Sequence, residues 1–199
     1  MPIEIEAKMK LDDQDAMAAR LCEAGAEFLG QYLETNIFFD TEDRALLAAD
    51  QGLRLRVAQN LDSGEVQCVI THKGSNRAGP LKTREETELV VNSARDAELL
   101  LNRLGFLRRL SFQKRRRSWR LHDCRIELDQ VPILGSFMEI EGPSEAAVMS
   151  LRERLGMSHT PLIKTSYIAM LSAHLQERGE PLRDILFPSA PDPNPAHPG

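Results

Sequence analysis

The chain opens on a two-residue alternation. Ile3, Ile5, Ala7, Met9 and Leu11 fall on one face of an extended segment, and Glu4, Glu6, Lys8 and Lys10 on the other. The habit recurs. Leu53, Leu55 and Val57 alternate with Arg54 and Arg56, and Gln67, Val69, Thr71 and Lys73 share a face opposite Val66, Cys68, Ile70 and His72. Lys82, Arg84, Glu86 and Glu88 line one face of the segment ending at Val91, and Lys114, Arg116 and Ser118 lie opposite Arg115, Arg117 and Trp119. Two more segments follow, Arg125 to Asp129 and Met138 to Glu141, in which Glu139 and Glu141 alternate with Met138 and Ile140. These seven segments are predicted strands.

Helical spacing falls between them. Asp12 and Asp13 precede Ala16, Met17, Leu21 and Ala24, with a stop near Gly25. Ser93, with Asp96 three residues on, opens a second helix closed by Gly105; Ser144 caps a third that ends near Gly156; a fourth is predicted from about Leu162 to Leu175. Strands and helices do not alternate regularly, which disfavours a doubly wound parallel sheet and favours an α+β fold, a mainly antiparallel sheet with peripheral helices. No internal repeat is visible. Residues 1–180 read as one domain. Residues 181–199 read as a proline-rich tail, with five prolines from Pro188 to the end, and the composition predicts disorder there.

Composition sets outer limits. The 199 residues are 42% hydrophobic, enough for a sizeable core, and no apolar run approaches a membrane span. The acidic start at Glu4 and Glu6 does not fit a signal peptide, so a soluble cytoplasmic protein with no membrane partner is expected. Cys22, Cys68 and Cys124 are widely spaced and are expected to be buried small residues rather than disulfide or zinc ligands. The net charge of −5 argues against a long nucleic acid as partner. That small figure hides a strong asymmetry: residues 1–50 hold four Lys or Arg against twelve Asp or Glu, whereas residues 103–125 hold nine bases against Asp123 alone.

Charged faces on seven strands are more than a solvated surface requires. A closed antiparallel barrel gives them a use, because every second residue of each strand points into its lumen and helices can cover the apolar outside. Such a lumen would place paired acids beside paired bases. Two carboxylates about 4 Å apart repel by about 4 kcal/mol at an effective dielectric of about 20, so clustered acids call for protons or cations. Clustered Arg and Lys call for an anion, and hard oxygen donors favour Mg²⁺ or Mn²⁺. Glu4, Glu6, Glu86, Glu88, Asp129, Glu139 and Glu141 stand against Lys8, Arg54, Arg56, Lys73, Arg84, Lys114 and Arg116, seven of each sign. A small polyphosphate carried with divalent cations satisfies both sets.

These residues resemble those of CYTH domain proteins, members of the triphosphate tunnel metalloenzymes. Glu4-Ile5-Glu6-Ala7-Lys8 matches the family's E-x-E-x-K. It is followed in order by Phe38-Phe39-Asp40-Thr41, Leu53-Arg54-Leu55-Arg56, His72-Lys73-Gly74, Arg84 to Glu88, Lys114-Arg115-Arg116, Leu128-Asp129, Leu134 to Glu141 and Lys164-Thr165-Ser166-Tyr167, spanning about residues 3–170.

The resemblance implies an eight-stranded antiparallel tunnel that binds a triphosphate with Mg²⁺ or Mn²⁺, two ions in all. It implies Glu4, Glu6, Glu139 and Glu141 as main metal ligands with Asp129, Glu86 and Glu88 nearby. Arg54, Arg56, Lys73, Arg84, Lys114 and Arg116 would hold phosphate oxygens. Lys8 would position phosphate or water, and Lys164 would reach the substrate from a helix plugging one end, the alternative being a surface lysine. Glu4, Glu6, Lys8 and Lys164 thus form the implied catalytic set. His72 lies off the Lys73 face and is expected in the core or on the outer wall. Hydrolysis of a small triphosphate ranks first, inorganic tripolyphosphate ahead of nucleoside, thiamine or RNA 5′-triphosphates. A class IV adenylyl cyclase, turning ATP into cyclic AMP and pyrophosphate, is the runner-up, and a non-catalytic polyphosphate or nucleotide sensor comes third. A homodimer is an expectation at family level alone.

Overall fold

The computed structural model describes residues 3–181 and 184–188. Among the described residues there are nine strands and five helices: β1 (Ile3–Lys10), α1 (Gln14–Glu23), β2 (Glu27–Asp40), α2 (Ala45–Ala48), β3 (Gly52–Asn60), β4 (Val66–Lys73), β5 (Lys82–Val91), α3 (Ala94–Arg103), β6 (Leu107–Leu121), β7 (Cys124–Val131), β8 (Gly135–Glu141), α4 (Glu145–Arg154), α5 (Tyr167–Glu177) and β9 (Asp184–Ile185). The sheet runs β2-β3-β4-β5-β1-β8-β7-β6, and β6 pairs back onto β2, which closes an eight-stranded barrel. All eight pairings are antiparallel, and β9 adds to β6 in parallel.

The alternation read from the sequence decides what lies inside and what lies outside. Ala7 and Met9 of β1, Trp119 and Leu121 of β6, Ile126 and Leu128 of β7 and Met138 and Ile140 of β8 turn outward and are buried beneath α1 (Met17, Leu21) and α4 (Val148, Leu151). Ala97 and Leu101 of α3 cover Ile37, Phe39, Leu53 and Leu55 on the far side. Each of these three helices starts where a short polar side chain takes up free amides: Asp13 accepts from Asp15 and Ala16, Ser93 from Asp96, and Ser144 from Ala147.

The lumen is not polar throughout. Leu110, Phe112, Val131 and Phe137 share their strands' inward faces and form an apolar plug with Tyr167, Leu171 and Leu175 of α5. Helix α5 therefore stops one end of the barrel. It starts at Tyr167, five residues later than the predicted Leu162. Leu162 is bridged to Met9, the Ile163 amide donates to the Lys8 carbonyl at 2.8 Å, and Ser166 is the cap that accepts from Ala169. The segment 162–163 is thereby held as an extended neighbour of β1.

Two strands lie outside the predicted set, β2 and β9. The packing continues past residue 180: Asp184 takes Arg108 at 2.7 Å and Ile185 is buried, while residues 189–199 lie outside the described set. Of the three cysteines expected to be buried only Cys124 is; Cys68 is half-buried and Cys22 exposed, since Leu21 takes the core-facing position of α1 and its neighbour faces outward. His72 stands exposed on the outer wall beside Gln51, as its strand face requires. Among the described residues no helix is long and apolar enough to cross a membrane.

Candidate functional site

The barrel encloses a cavity of about 1590 Å³ lined by the charged faces of all eight strands. Register sets the charges in rows, each pairing a base with an acid and setting two acids side by side. Lys82, Glu6, Glu141 and Arg125 form one row across β5, β1, β8 and β7, and Lys8, Glu139, Glu127 and Ser118 form another across β1, β8, β7 and β6. Glu4 faces Arg84, Lys73 faces Glu86, and Arg54 faces Thr71, which in turn faces Glu88.

The acidic wall is centred on β1. Lys82 Nζ donates to Glu6 Oε2 at 2.9 Å, while Glu6 Oε1 is buried with no hydrogen-bond partner, 3.7 Å from Lys8 Nζ. Lys8 Nζ lies 3.4 Å from Glu139, donates to the Thr165 carbonyl and sits 4.2 Å from the centre of the Tyr167 ring. Lys73 bridges Glu4, at 3.5 Å, and Glu86. Burial pushes Glu86 up to about 7, and its hydrogen bond to Glu4 adds to this. For Glu4 burial works in the same direction, but the hydrogen bond with Glu86 and the charges of Lys73 and Lys82 outweigh it and hold the carboxyl well below the usual range. Below about pH 7 the pair would therefore hold one proton. Burial, then the charges of Glu4 and Glu6, also raises Glu141.

The basic wall lies on β3 and β6. Arg54 Nη2 donates to Thr71 at 3.1 Å, and Arg54 and Arg56 lie 3.8 and 3.6 Å from Glu88. Asp129 is fully buried, and its two oxygens accept from Lys114 (3.1 Å), twice from Arg116 (2.6 Å each) and from the Tyr167 hydroxyl (3.1 Å). Arg116 also reaches Glu139 at 2.6 Å. Burial lowers Lys73 to about 8, helped by the nearby Arg54 guanidinium.

The structure thus brings Glu4, Glu6, Glu86, Glu139 and Glu141 to one wall with Lys8, Lys73 and Arg84. It sets Glu88 among the arginines of β3, and it commits Asp129 to holding Lys114 and Arg116. Lys164 lies in the segment before α5 and not on the helix. Its Nζ binds the Gly79 carbonyl, and the residue is exposed at the cavity rim.

Several lining residues escape the sequence reading. Lys82 stands on the predicted face of β5, yet only the β1–β5 register reveals that it holds Glu6. Glu127 sits two residues before Asp129, on the same inward face. Glu34 and Asn36 belong to β2, on the inward face that they share with Tyr32 and Phe38.

A divalent cation fits the donor set. The acids are hard oxygen ligands, Glu6 Oε1 lacks a hydrogen-bond partner, and the proton shared by Glu4 and Glu86 stands where a cation could replace it. Among the described residues, however, no three His, Cys, Asp or Glu side chains converge into a preformed metal site. Each acid would have to turn from its base onto the ion.

A closed eight-stranded antiparallel barrel with acids and bases interleaved through its lumen defines the class of triphosphate tunnel proteins. Within that class the chain belongs to the CYTH domain family, which matches it over residues 2–162. It is similar to the "Putative adenylate cyclase MJ0240" of Methanocaldococcus jannaschii, 26% identical over 177 residues that cover 84% of this chain and 98% of that protein. Among solved structures it is similar to PH1819 of Pyrococcus horikoshii OT3, with 27% identity, 86% of this chain and 99% of the other covered, and a TM-score of 0.76. It shares its fold with HpAC1 of Hippeastrum, at 19% identity, 92% and 98% coverage and a TM-score of 0.63.

Proposed function

We propose that this protein hydrolyses a small triphosphate inside the barrel, inorganic tripolyphosphate foremost, with Mg²⁺ or Mn²⁺. What supports this is the lumen itself, in which Arg54, Arg56, Lys73, Lys114 and Arg116 are each met by an acid that lines the same cavity, Lys114 by Glu34. An anion alone would displace those acids from their bases and leave buried carboxylates unpaired. A cation alone would do the same to the bases. A metal-neutralised triphosphate meets both sets together, and it needs no nucleoside to be held.

Glu4, Glu6, Glu139 and Glu141, with Glu86 beside them, would hold the cations. Arg54, Arg56, Lys73, Arg84, Lys114 and Arg116 would take phosphate oxygens. Bound Mg²⁺ or Mn²⁺ would supply Lewis acidity and neutralise charge developing on the phosphoryl group. Lys8, pinned by Thr165 and the Tyr167 ring, would fix the reacting end of the chain. Asp129 acts through Lys114 and Arg116 and is not assigned to the metal. Orthophosphate release from tripolyphosphate, dependent on added Mg²⁺ or Mn²⁺, tests the reading.

A second reading has one specific support. The M. jannaschii relative carries the name of an adenylate cyclase. In that case the ribose hydroxyl of ATP would attack the α-phosphorus and expel pyrophosphate in the same lumen, and the product would be cyclic AMP.

A further inference from the structure

The wall formed by β2 and β3 carries buried hydrogen-bonding atoms that the protein itself does not meet. Asn36 is 1% exposed, yet neither its Oδ1 nor its Nδ2 has a partner. Glu34, 4% exposed, accepts no hydrogen bond at Oε2, whose nearest cation is Lys114 Nζ at 3.4 Å. Arg54 Nε is likewise buried and unpaired. All three residues line the cavity, and register sets Asn36 opposite Arg56 on β3 and Phe112 on β6. Folding normally pairs such groups, because a buried amide that gives up water and gains nothing destabilises the protein. Unmet demand of this kind, gathered on one wall of a cavity, belongs to a ligand.

The atom types say which ligand. Asn36 Nδ2 and Arg54 Nε donate; Asn36 Oδ1 and Glu34 Oε2 accept. Ionised phosphoryl oxygens only accept, so a phosphate satisfies the first two, leaves Asn36 Oδ1 bare and leaves Glu34 Oε2 with the Lys114 ion pair and no hydrogen bond. Those acceptors need O–H groups beside the phosphoryl group that Arg54, Arg56 and Lys114 would hold. Water is the smallest molecule that offers two.

Resting on the hydrolase reading above, we propose that Asn36 and Glu34 hold the attacking water: its hydrogens donate to Asn36 Oδ1 and Glu34 Oε2, while Asn36 Nδ2 donates to an oxygen of the terminal phosphoryl group. The water oxygen forms the new P–O bond as the bond from the terminal phosphorus to the bridging oxygen breaks, and that electron pair leaves with diphosphate. Tripolyphosphate (charge −5) and water thereby give hydrogen phosphate (−2) and hydrogen diphosphate (−3). The water's two protons end one on each product. Glu34, surrounded by Lys114, Arg116, Arg56 and Arg54, stays ionised and orients the water without keeping a proton.

The test is Asn36→Leu, close in size and without either polar atom. Turnover of tripolyphosphate with Mn²⁺ or Mg²⁺, binding of the non-hydrolysable imidotriphosphate by calorimetry and thermal midpoint are measured on the same preparations. The expected result is a fall in kcat on the order of 100-fold, imidotriphosphate affinity lowered by about tenfold through the lost Nδ2 bond, and a midpoint equal to or above the parent's. Asn36→Asp keeps the acceptor, loses the donor and adds a charge among the phosphate-binding arginines. It should raise KM and keep a larger share of kcat than Asn36→Leu, which guards against a variant that fails to fold. Unchanged kcat in Asn36→Leu, or an affinity loss that accounts for the whole effect, overturns the proposal while the hydrolase reading stands. Absence of turnover in the parent protein overturns both.

Discussion

The Tyr167 hydroxyl donates a hydrogen bond to Oδ2 of Asp129 at 3.1 Å, joining the first residue of α5 to the carboxylate that holds Lys114 and Arg116. The Tyr167 ring packs on Phe137 with centroids 5.0 Å apart and lies under Lys8. One side chain therefore ties the plug helix to bases on two walls. Tyr167→Phe keeps the ring and loses the bond. A hydrogen bond to a charged acceptor contributes about 2 kcal/mol, so the thermal midpoint should fall by roughly 4–8 °C. Calorimetric or circular-dichroism melts check this, and an unchanged midpoint would mean that the bond contributes nothing net.

Lys82 and Glu6 are both buried, and removing one partner leaves a carboxylate whose other oxygen already lacks a hydrogen bond. Lys82→Met should destabilise the protein by about 3–5 kcal/mol. If Glu6 is a metal ligand, added Mn²⁺ or Mg²⁺ should recover more stability in the variant than in the parent. Melts with and without the ion compare the two; equal recovery would remove Glu6 from the metal set.

A proton held between Glu4 and Glu86 would make the proposed metal binding pH-dependent. With Glu86 raised to about 7 chiefly by burial, an ion binding below that pH must displace its proton. Apparent metal affinity should rise about tenfold per pH unit up to about 7 and flatten above it. Calorimetry in two buffers of different ionisation enthalpy should show proton release at pH 6 and much less at pH 8.

Without metal the same group sets a stability trend. Glu86 keeps its proton to about pH 7 when folded but only to about 4.5 when unfolded, so its contribution is complete below 4.5 and is lost as pH rises to 7. Glu4, Glu34 and Glu139, all held low, act the other way: their contribution is present above about 4.5 and is lost in acid. Metal-free melts should show stability falling in acid below about 4.5, and Glu86→Gln should flatten the slope between 4.5 and 7.

Arg115 and Arg116 are adjacent in sequence and opposite in direction. Arg115 points outward, with its guanidinium 4.4 Å from the centre of the Phe187 ring, whereas Arg116 points inward onto Asp129 and Glu139. Arg115→Ala should leave turnover within about twofold of the parent, while Arg116→Ala should lower it at least tenfold. Similar losses for both would contradict the register of β6.

Much of this was legible because a strand of period two writes its inner face into the sequence. Alternation put Glu4, Glu6 and Lys8, Arg54 and Arg56, and Lys114 and Arg116 on shared faces; closing the sheet into a barrel, as the family resemblance implies, turned those faces inward. Strand β2 was hidden because its pattern is broken. Gly30 sits at a bulge between Phe28 and Gly30 with a positive φ of 129°, and Ile37-Phe38-Phe39 is a continuous apolar run that conceals Glu34 and Asn36 on the inner face. The partnership of Lys82 with Glu6 spans 76 positions and follows from register, which composition does not encode. Helix α5 starts later than its apolar spacing predicts because Leu162 and Ile163 are held by the backbone of β1.

The most direct test of a metal-dependent triphosphate hydrolase is product analysis after incubating the protein with Mg²⁺ or Mn²⁺ and, separately, tripolyphosphate, ATP and thiamine triphosphate. The expected result is orthophosphate and pyrophosphate from tripolyphosphate, abolished by chelator and by Glu4→Gln or Glu139→Gln. Cyclic AMP with pyrophosphate from ATP and no attack on tripolyphosphate would contradict it, and so would tight binding of all three without turnover.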